Sequence, residues 1–145
     1  VFATSAGNNG DVSFHIKKDF NNDSIRTNVS FYSYGSNVNM WGQSLHAWGE
    51  VGKDFEMKIE LLNSQNQLLN ESAFFPASFN GYIDTFMVSN SDTIWYNVAA
   101  EPAHPQNNRP TIRFRVKKTN TTLKIIMNGK SWMFLLTSEY ILEFL

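Results

Sequence analysis

The chain has 145 residues, no cysteine, 12 Lys+Arg against 13 Asp+Glu, and a net charge of −1. These figures exclude disulfides, zinc–thiolate centres and a cysteine nucleophile, and they supply neither the basic footprint of a nucleic-acid binder nor an acidic tail. Aromatic residues reach 14% and charged residues only 17%, a balance that disordered chains do not show, and the apolar runs are too short to insert in a membrane.

Both ends read as strand: Val1-Phe2-Ala3 at the start, and Glu139-Tyr140-Ile141-Leu142-Glu143-Phe144-Leu145 at the close. Domain ends are usually polar and loose, so residues 1–145 are expected to be one domain taken from a longer chain. No charged segment followed by an apolar core opens the sequence, so the N-terminus does not indicate a compartment.

Between the ends the dominant period is two. Apolar and polar residues alternate in Val12-Ser13-Phe14-His15-Ile16. Ile25, Thr27, Val29 and Phe31 oppose Arg26, Asn28 and Ser30. Phe55, Met57, Ile59 and Leu61 alternate with Glu56, Lys58 and Glu60, and Ile112, Phe114 and Val116 with Arg113, Arg115 and Lys117. Each pattern predicts a half-buried antiparallel strand. A helix over 54–62 would scatter the same apolar positions around its cylinder.

Turn signals separate these runs: Asn8-Asn9-Gly10, Asn21-Asn22-Asp23, Asn80-Gly81 and Asn128-Gly129. Asn128-Gly129, between Leu123–Met127 and Lys130–Leu135, predicts a tight hairpin. Residues 101–110 hold three of the four prolines and are expected to form an extended surface loop before the Ile112 strand. About ten short strands with such connections predict an all-β fold, an antiparallel β-sandwich of the jelly-roll kind.

Chemistry-bearing patterns are few. His15, His46 and His104 form no close pair of the zinc-binding type, so no metal or other cofactor is expected. The acid pairs Glu50/Asp54 and Asp84/Asp92 read as readily as turn solvation as they do as a hydrolytic pair. There is no Gly-x-Ser-x-Gly elbow and no Gly-rich phosphate loop, and the chain is not expected to be an enzyme. Four sequons, at Asn22, Asn28, Asn70 and Asn120, point to an extracellular, secreted glycoprotein, although an Asn-rich chain acquires some by chance. Of the four tryptophans, Trp48, Trp95 and Trp132 are expected in the core. Trp41 follows the polar stretch Tyr32–Met40 and precedes Gly42-Gln43-Ser44. There an indole can stack on a sugar ring while neighbouring polar groups take its hydroxyls.

The order of these segments resembles a galectin carbohydrate-recognition domain. Phe2-Ala3-Thr4-Ser5-Ala6 looks like that family's Phe-x-Val-Asn-Leu strand, and Asp11–Phe20 like its His-x-Asn-x-Arg-Phe strand. Trp41-Gly42-Gln43-Ser44-Leu45-His46 is similar to Trp-Gly-x-Glu-x-Arg, and Gly52–Ile59 to Gly-x-x-Phe-x-x-x-Ile. Ile112–Val116 and Leu123–Lys130 look like the last hairpin with its Val-Asn-Gly turn, and Tyr140–Phe144 like the start of the closing strand. Residues 63–110 match nothing in the family.

Carried over position by position, the resemblance implies a carbohydrate site of His15, Lys17, Asp19, Tyr32, Trp41, Ser44 and His46. Only His15 and Trp41 keep the family's residue type. The Arg–carboxylate network that orients sugar hydroxyls is absent, which implies a specificity unlike that for ordinary β-galactosides. The implied function is glycan recognition without catalysis, with a glycan or glycoprotein as partner and a homodimer open to it. The alternative is a galectin-fold structural or protein-interaction domain whose function lies in the unmatched stretch, for example in the Pro-rich loop or Ala73-Phe74-Phe75. A third reading is a jelly-roll carbohydrate module of another kind, attached to an enzyme.

Overall fold

The period-two segments become strands of two antiparallel sheets. The computed structural model describes the backbone of residues 15–19, 24–29, 43–89, 92–117, 124–131, 133–138 and 142–143, and the side chains of 44–89 and 93–117. In chain order the strands are β1 (His15–Asp19), β2 (Ser24–Val29), β3 (Gln43–Gly49), β4 (Phe55–Leu62), β5 (Leu68–Glu71) and β6 (Phe75–Pro76). After a 3-10 turn at Ala77–Phe79 come β7 (Gly81–Ser89), β8 (Asp92–Glu101), β9 (Thr111–Lys117), β10 (Lys124–Ser131), β11 (Met133–Ser138) and β12 (Leu142–Glu143). Among the described residues there is no α-helix.

The first sheet runs β1-β11-β3-β9-β8-β7, and the second runs β12-β2-β10-β4-β5 with β6 also on β4. The expected all-β class is therefore the fold. Alternation in sequence reappears as alternation of burial, except at the end of β4, where Glu60 and Leu62 are buried as well. In β4, Phe55, Met57, Ile59 and Leu61 are buried while Glu56 and Lys58 are partly exposed. In β9, Ile112, Phe114 and Val116 are buried while Arg113, Arg115 and Lys117 are not. These side chains join Leu45 and Ala47 of β3, Met87 of β7 and Ile94, Tyr96, Val98 and Ala100 of β8 in one cluster. The two sheets thus share a core, and β9 and β8 turn their alternate residues away from it.

Two connections differ from expectation. Asn128-Gly129 makes no hairpin, because β10 runs straight through it. Asn128 pairs with Arg26 on one side and Lys58 on the other, and Gly129 with Ile25 and Met57. Two full ladders outweigh a local turn preference, and the chain leaves the second sheet for the first only between Ser131 and Met133. The Pro-rich segment is on the surface but is compact rather than extended. His104 N–H donates to the Arg109 carbonyl at 2.8 Å and Asn108 N–H to the His104 carbonyl at 2.8 Å, with Asn108 at φ 60. Asn80 adopts φ 47 at the end of the 3-10 turn, as expected for the Asn80-Gly81 signal.

That compact loop is pinned to the end of β3. Gly49 N–H donates to the Pro110 carbonyl at 2.9 Å, and Arg109 Nη1 to the Gly49 carbonyl at 3.3 Å. A Cβ on Gly49 would lie 2.7 Å from Pro110 Cγ and 2.8 Å from Phe55 Cδ1, and a proline ring and a buried phenyl have little freedom to yield. Gly49→Ala is expected to cost roughly 1–3 kcal/mol through overpacking, measured by urea unfolding. A neutral result would mean that the loop can lift off β3.

Candidate functional site

Antiparallel pairing places residues from different strands side by side on the outward face of the first sheet. Burying Ile94, Tyr96 and Val98 of β8 turns Trp95, Asn97 and Ala99 outward. On β7 the outward residues are Tyr82, Asp84, Phe86 and Val88, and on β3 they are Ser44, His46 and Trp48. The register then aligns three cross-strand rows. Ser44 lies beside Arg115, Asn97 and Asp84. His46 lies beside Arg113, Ala99 and Tyr82. Lys117 lies beside Trp95 and Phe86.

The third row carries an aromatic platform. Trp95 and Phe86 are 46% and 51% exposed, with ring centroids 5.0 Å apart at 53°. Tyr82, two rows along, is also exposed. Trp95 is therefore not a core residue, contrary to expectation. The inward positions of β8 belong to the strand's other parity, and the neighbouring rings of Phe86 and Trp95 shelter one another on the outside. Trp48 is partly buried on the same outward face, where it meets the His104 ring edge-on at 5.0 Å and His46 at 6.4 Å, rather than joining the core cluster.

The adjacent rows are polar and partly pre-organised. The Asp84 carboxylate accepts hydrogen bonds from Tyr82 Oη at 2.7 Å and from Asn97 Nδ2 at 2.8 Å, and Asn97 Nδ2 also reaches the Ile83 carbonyl at 3.2 Å. The bond to Asp84 holds the Tyr82 phenol above its ordinary range, so it stays a donor. Arg113 is pushed below the usual guanidinium range, first by burial and then by Arg115 beside it. Among the described residues, three buried side-chain polar atoms lack a hydrogen-bond partner: Ser44 Oγ, Asn97 Oδ1 and Arg113 Nε. All three are outward-row residues flanking Arg115.

The residues expected from sequence reach this sheet unevenly. Ser44 and His46 lie on β3 in the rows just described. His15, Lys17 and Asp19 lie on β1, where His15 pairs with Thr137 and Thr137 with His46, while Lys17 pairs with Leu135 and Leu135 with Trp48. One cross-strand row thus joins His15 to His46, with β11 between them. Tyr32 and Trp41 lie outside the described residues, as do Trp132 and the sequons at Asn22 and Asn120. At Asn70 the side-chain amide donates to the Val88 carbonyl at 2.9 Å and Ser72 is buried, so that sequon is built into the β5–β7 contact.

Of the sequence-adjacent acid pairs, Asp54 is engaged in the fold, and Asp84 and Asp92 are held far apart. Asp54 accepts from Phe55 N–H at 2.9 Å, Ser78 N–H at 3.2 Å and Ser78 Oγ at 2.5 Å, which ties β4 to the 3-10 turn. Asp84 pairs with Asn97 and Asp92 with Ser89, five residues and so roughly 17 Å apart along β8. Among the described residues no three His, Cys, Asp or Glu side chains are grouped to hold a metal ion, and no helix is long and apolar enough to cross a membrane.

Tyr82, Asp84, Phe86, Trp95, Asn97, Arg113 and Arg115 were not legible as a site in the sequence. The one available signal was the Arg113–Arg115–Lys117 side of β9. No protein-family model and no curated protein matches the chain. A solved structure, that of the CspB protease of Clostridium perfringens, is similar over 86% of this chain with 12% identity and a TM-score of 0.47. The likeness spans a quarter of that protein's length.

Proposed function

We propose that the outward face of the first sheet binds a glycan and that the chain acts by recognition, without catalysis. The observation that carries this reading is the exposed Trp95–Phe86 pair one row away from Asp84 and Asn97. Flat rings cover the apolar face of a sugar, while the exposed Asp84 carboxylate, held in orientation by the buried Asn97, takes its hydroxyls. The galectin resemblance supports the same class of ligand. It also leads to the same sheet, since Ser44 and His46 share rows with the arginines. The ligand in this reading is not an ordinary β-galactoside, because the Arg–carboxylate pair of the resembled motif is replaced by Ser44 and His46.

A broad glycan array, followed by titration of tryptophan fluorescence with the best sugars, tests the proposal. Trp95→Ala is expected to weaken binding about tenfold or more, equivalent to roughly 1.4 kcal/mol, with the melting temperature little changed. Silence across the array, or Trp95→Ala binding as tightly as the parent, overturns it. A second reading has one observation behind it: Tyr82, Phe86, Val88 and Trp95 are exposed beside β7, which ends the first sheet. An apolar strip at a sheet edge also suits a protein partner. Sugar silence together with loss of a protein complex on Phe86→Asp would favour that reading.

A further inference from the structure

We infer that the glycan recognised by this face carries an anionic group, a carboxylate or a sulfate, held by Arg113 and Arg115. The inference rests on the glycan reading above and names its ligand class. Arg113 and Arg115 project from alternate positions of β9 to the same side, in the middle of the sheet, with β3 and β8 on either side. Two half-buried guanidinium groups side by side repel each other, and Arg113 is pushed down by Arg115 as well as by burial. Proteins normally relieve such a pair with a carboxylate. Here, among the described residues, neither arginine forms an ion pair, and the Arg113 Nε is buried with no acceptor.

The acid in the same row as Arg115 is committed elsewhere, since Asp84 is held by Tyr82 and Asn97 on the far side of β8. Arg113 has Ala99 as its neighbour on β8, whose methyl group offers no acceptor. Glu101, diagonal to Arg113 on β8, attracts it without forming an ion pair, so neither guanidinium is bonded to an acid of this face, and the guanidinium fork suits a carboxylate or a sulfate in a bidentate pose. The platform is within reach of that anion. Trp95 and Arg115 are diagonal neighbours on β8 and β9, about 7–8 Å apart, so a ring stacked on Trp95 can place an acidic substituent on Arg115. The net charge of −1 means that the chain as a whole does not attract polyanions. Selectivity has to arise locally, from the two arginines with Lys117 beside Trp95.

The test uses the 145-residue chain and matched oligosaccharides: hexose backbones, the same backbones ending in a uronic acid, and the same backbones 6-O-sulfated. Calorimetry or tryptophan fluorescence is expected to show at least one acidic member binding about tenfold tighter than its neutral counterpart. That preference is expected to shrink as ionic strength rises. Arg115→Gln and Arg113→Gln are each expected to bring the acidic-to-neutral ratio toward one, with melting curves confirming that the variants are folded. Preference for the uronate alone or the sulfate alone supports the inference and identifies the anion. Equal binding of neutral and acidic members, or a preference untouched by both substitutions, overturns the inference while leaving the glycan reading in place. Failure of every oligosaccharide to bind overturns both.

Discussion

Phe114→Ala is expected to lower the free energy of unfolding by about 3–5 kcal/mol, a large share of the 5–15 kcal/mol typical of a single domain. The Phe114 ring is 1% exposed on β9, the strand between β3 and β8 in the first sheet. It meets Phe75 of β6 at 6.0 Å in an edge-on arrangement, which ties β9 to the strand paired with β4. Truncation removes the transfer free energy of the ring and leaves a cavity between two sheets whose ladders prevent collapse. Urea unfolding is the measurement, with Phe86→Ala as the comparison. Phe86 is half exposed and its loss is expected to cost no more than about 1 kcal/mol. If the two variants were equally stable, the shared core between the sheets would be wrong.

Lys58→Ala is expected to cost about 2–3 kcal/mol, between the value of an exposed ion pair and that of a buried one. Its ammonium bonds Glu71 at 2.6 Å and Glu60 at 3.2 Å and stands 5.0 Å from the centre of the Phe74 ring. Glu71 is exposed, so solvent screens its short bond to the ammonium more than it screens Glu60. The Glu60 side chain is only 6% exposed, and removing the ammonium 3.2 Å away takes a cation from beside a desolvated carboxylate. Lys58→Ala combined with Glu60→Gln is therefore expected to be less damaging than Lys58→Ala alone. An unfolding series in which the double variant is worse by the sum of the singles would exclude this explanation.

The same lysine sets a direction for pH dependence. The hydrogen bond to Glu71 raises its affinity for the proton above the ordinary 10.5, against a smaller opposing effect of burial. The folded state therefore binds that proton more tightly than the unfolded chain does. Its contribution is complete below the unfolded value and is lost as pH rises through the higher folded one. Tyr96, raised from 10.0 by burial because phenolate is disfavoured in the core, acts with the same sign. Stability is expected to hold level through neutral pH and to fall above about pH 10, less steeply in Lys58→Ala. Melting temperatures measured across that range check it.

The strands were legible where one parity was apolar and the other charged. Phe55–Leu61 and Ile112–Val116 could be oriented from sequence because burying the wrong side would have placed Glu56, Lys58, Arg113 and Arg115 in the core. Residues 82–89 could not be oriented this way. Tyr82, Phe86 and Val88 on one parity are as apolar as Ile83 and Met87 on the other, so polarity does not say which face is inside. Trp95 suffered the same ambiguity, since Ile94 and Tyr96 beside it are equally suited to burial. Asn128-Gly129 misled because a turn preference is local, whereas β10's two neighbours come from residues 24–29 and 55–62, far away along the chain.

The outward face of the first sheet depends on the same distinction. Residue types and period two were enough to determine an all-β chain, the parity of its most amphipathic strands, and the presence of Arg113 and Arg115 on the outward side of one of them. Which residues stand beside those arginines depends on strand order and register. These follow from how the two sheets bury their apolar faces together, not from neighbours in sequence. Only the tertiary structure decided that β8 and β3 flank β9, that Trp95 points outward beside Phe86, and that Asp84 is held by Asn97 and Tyr82 rather than by Arg115.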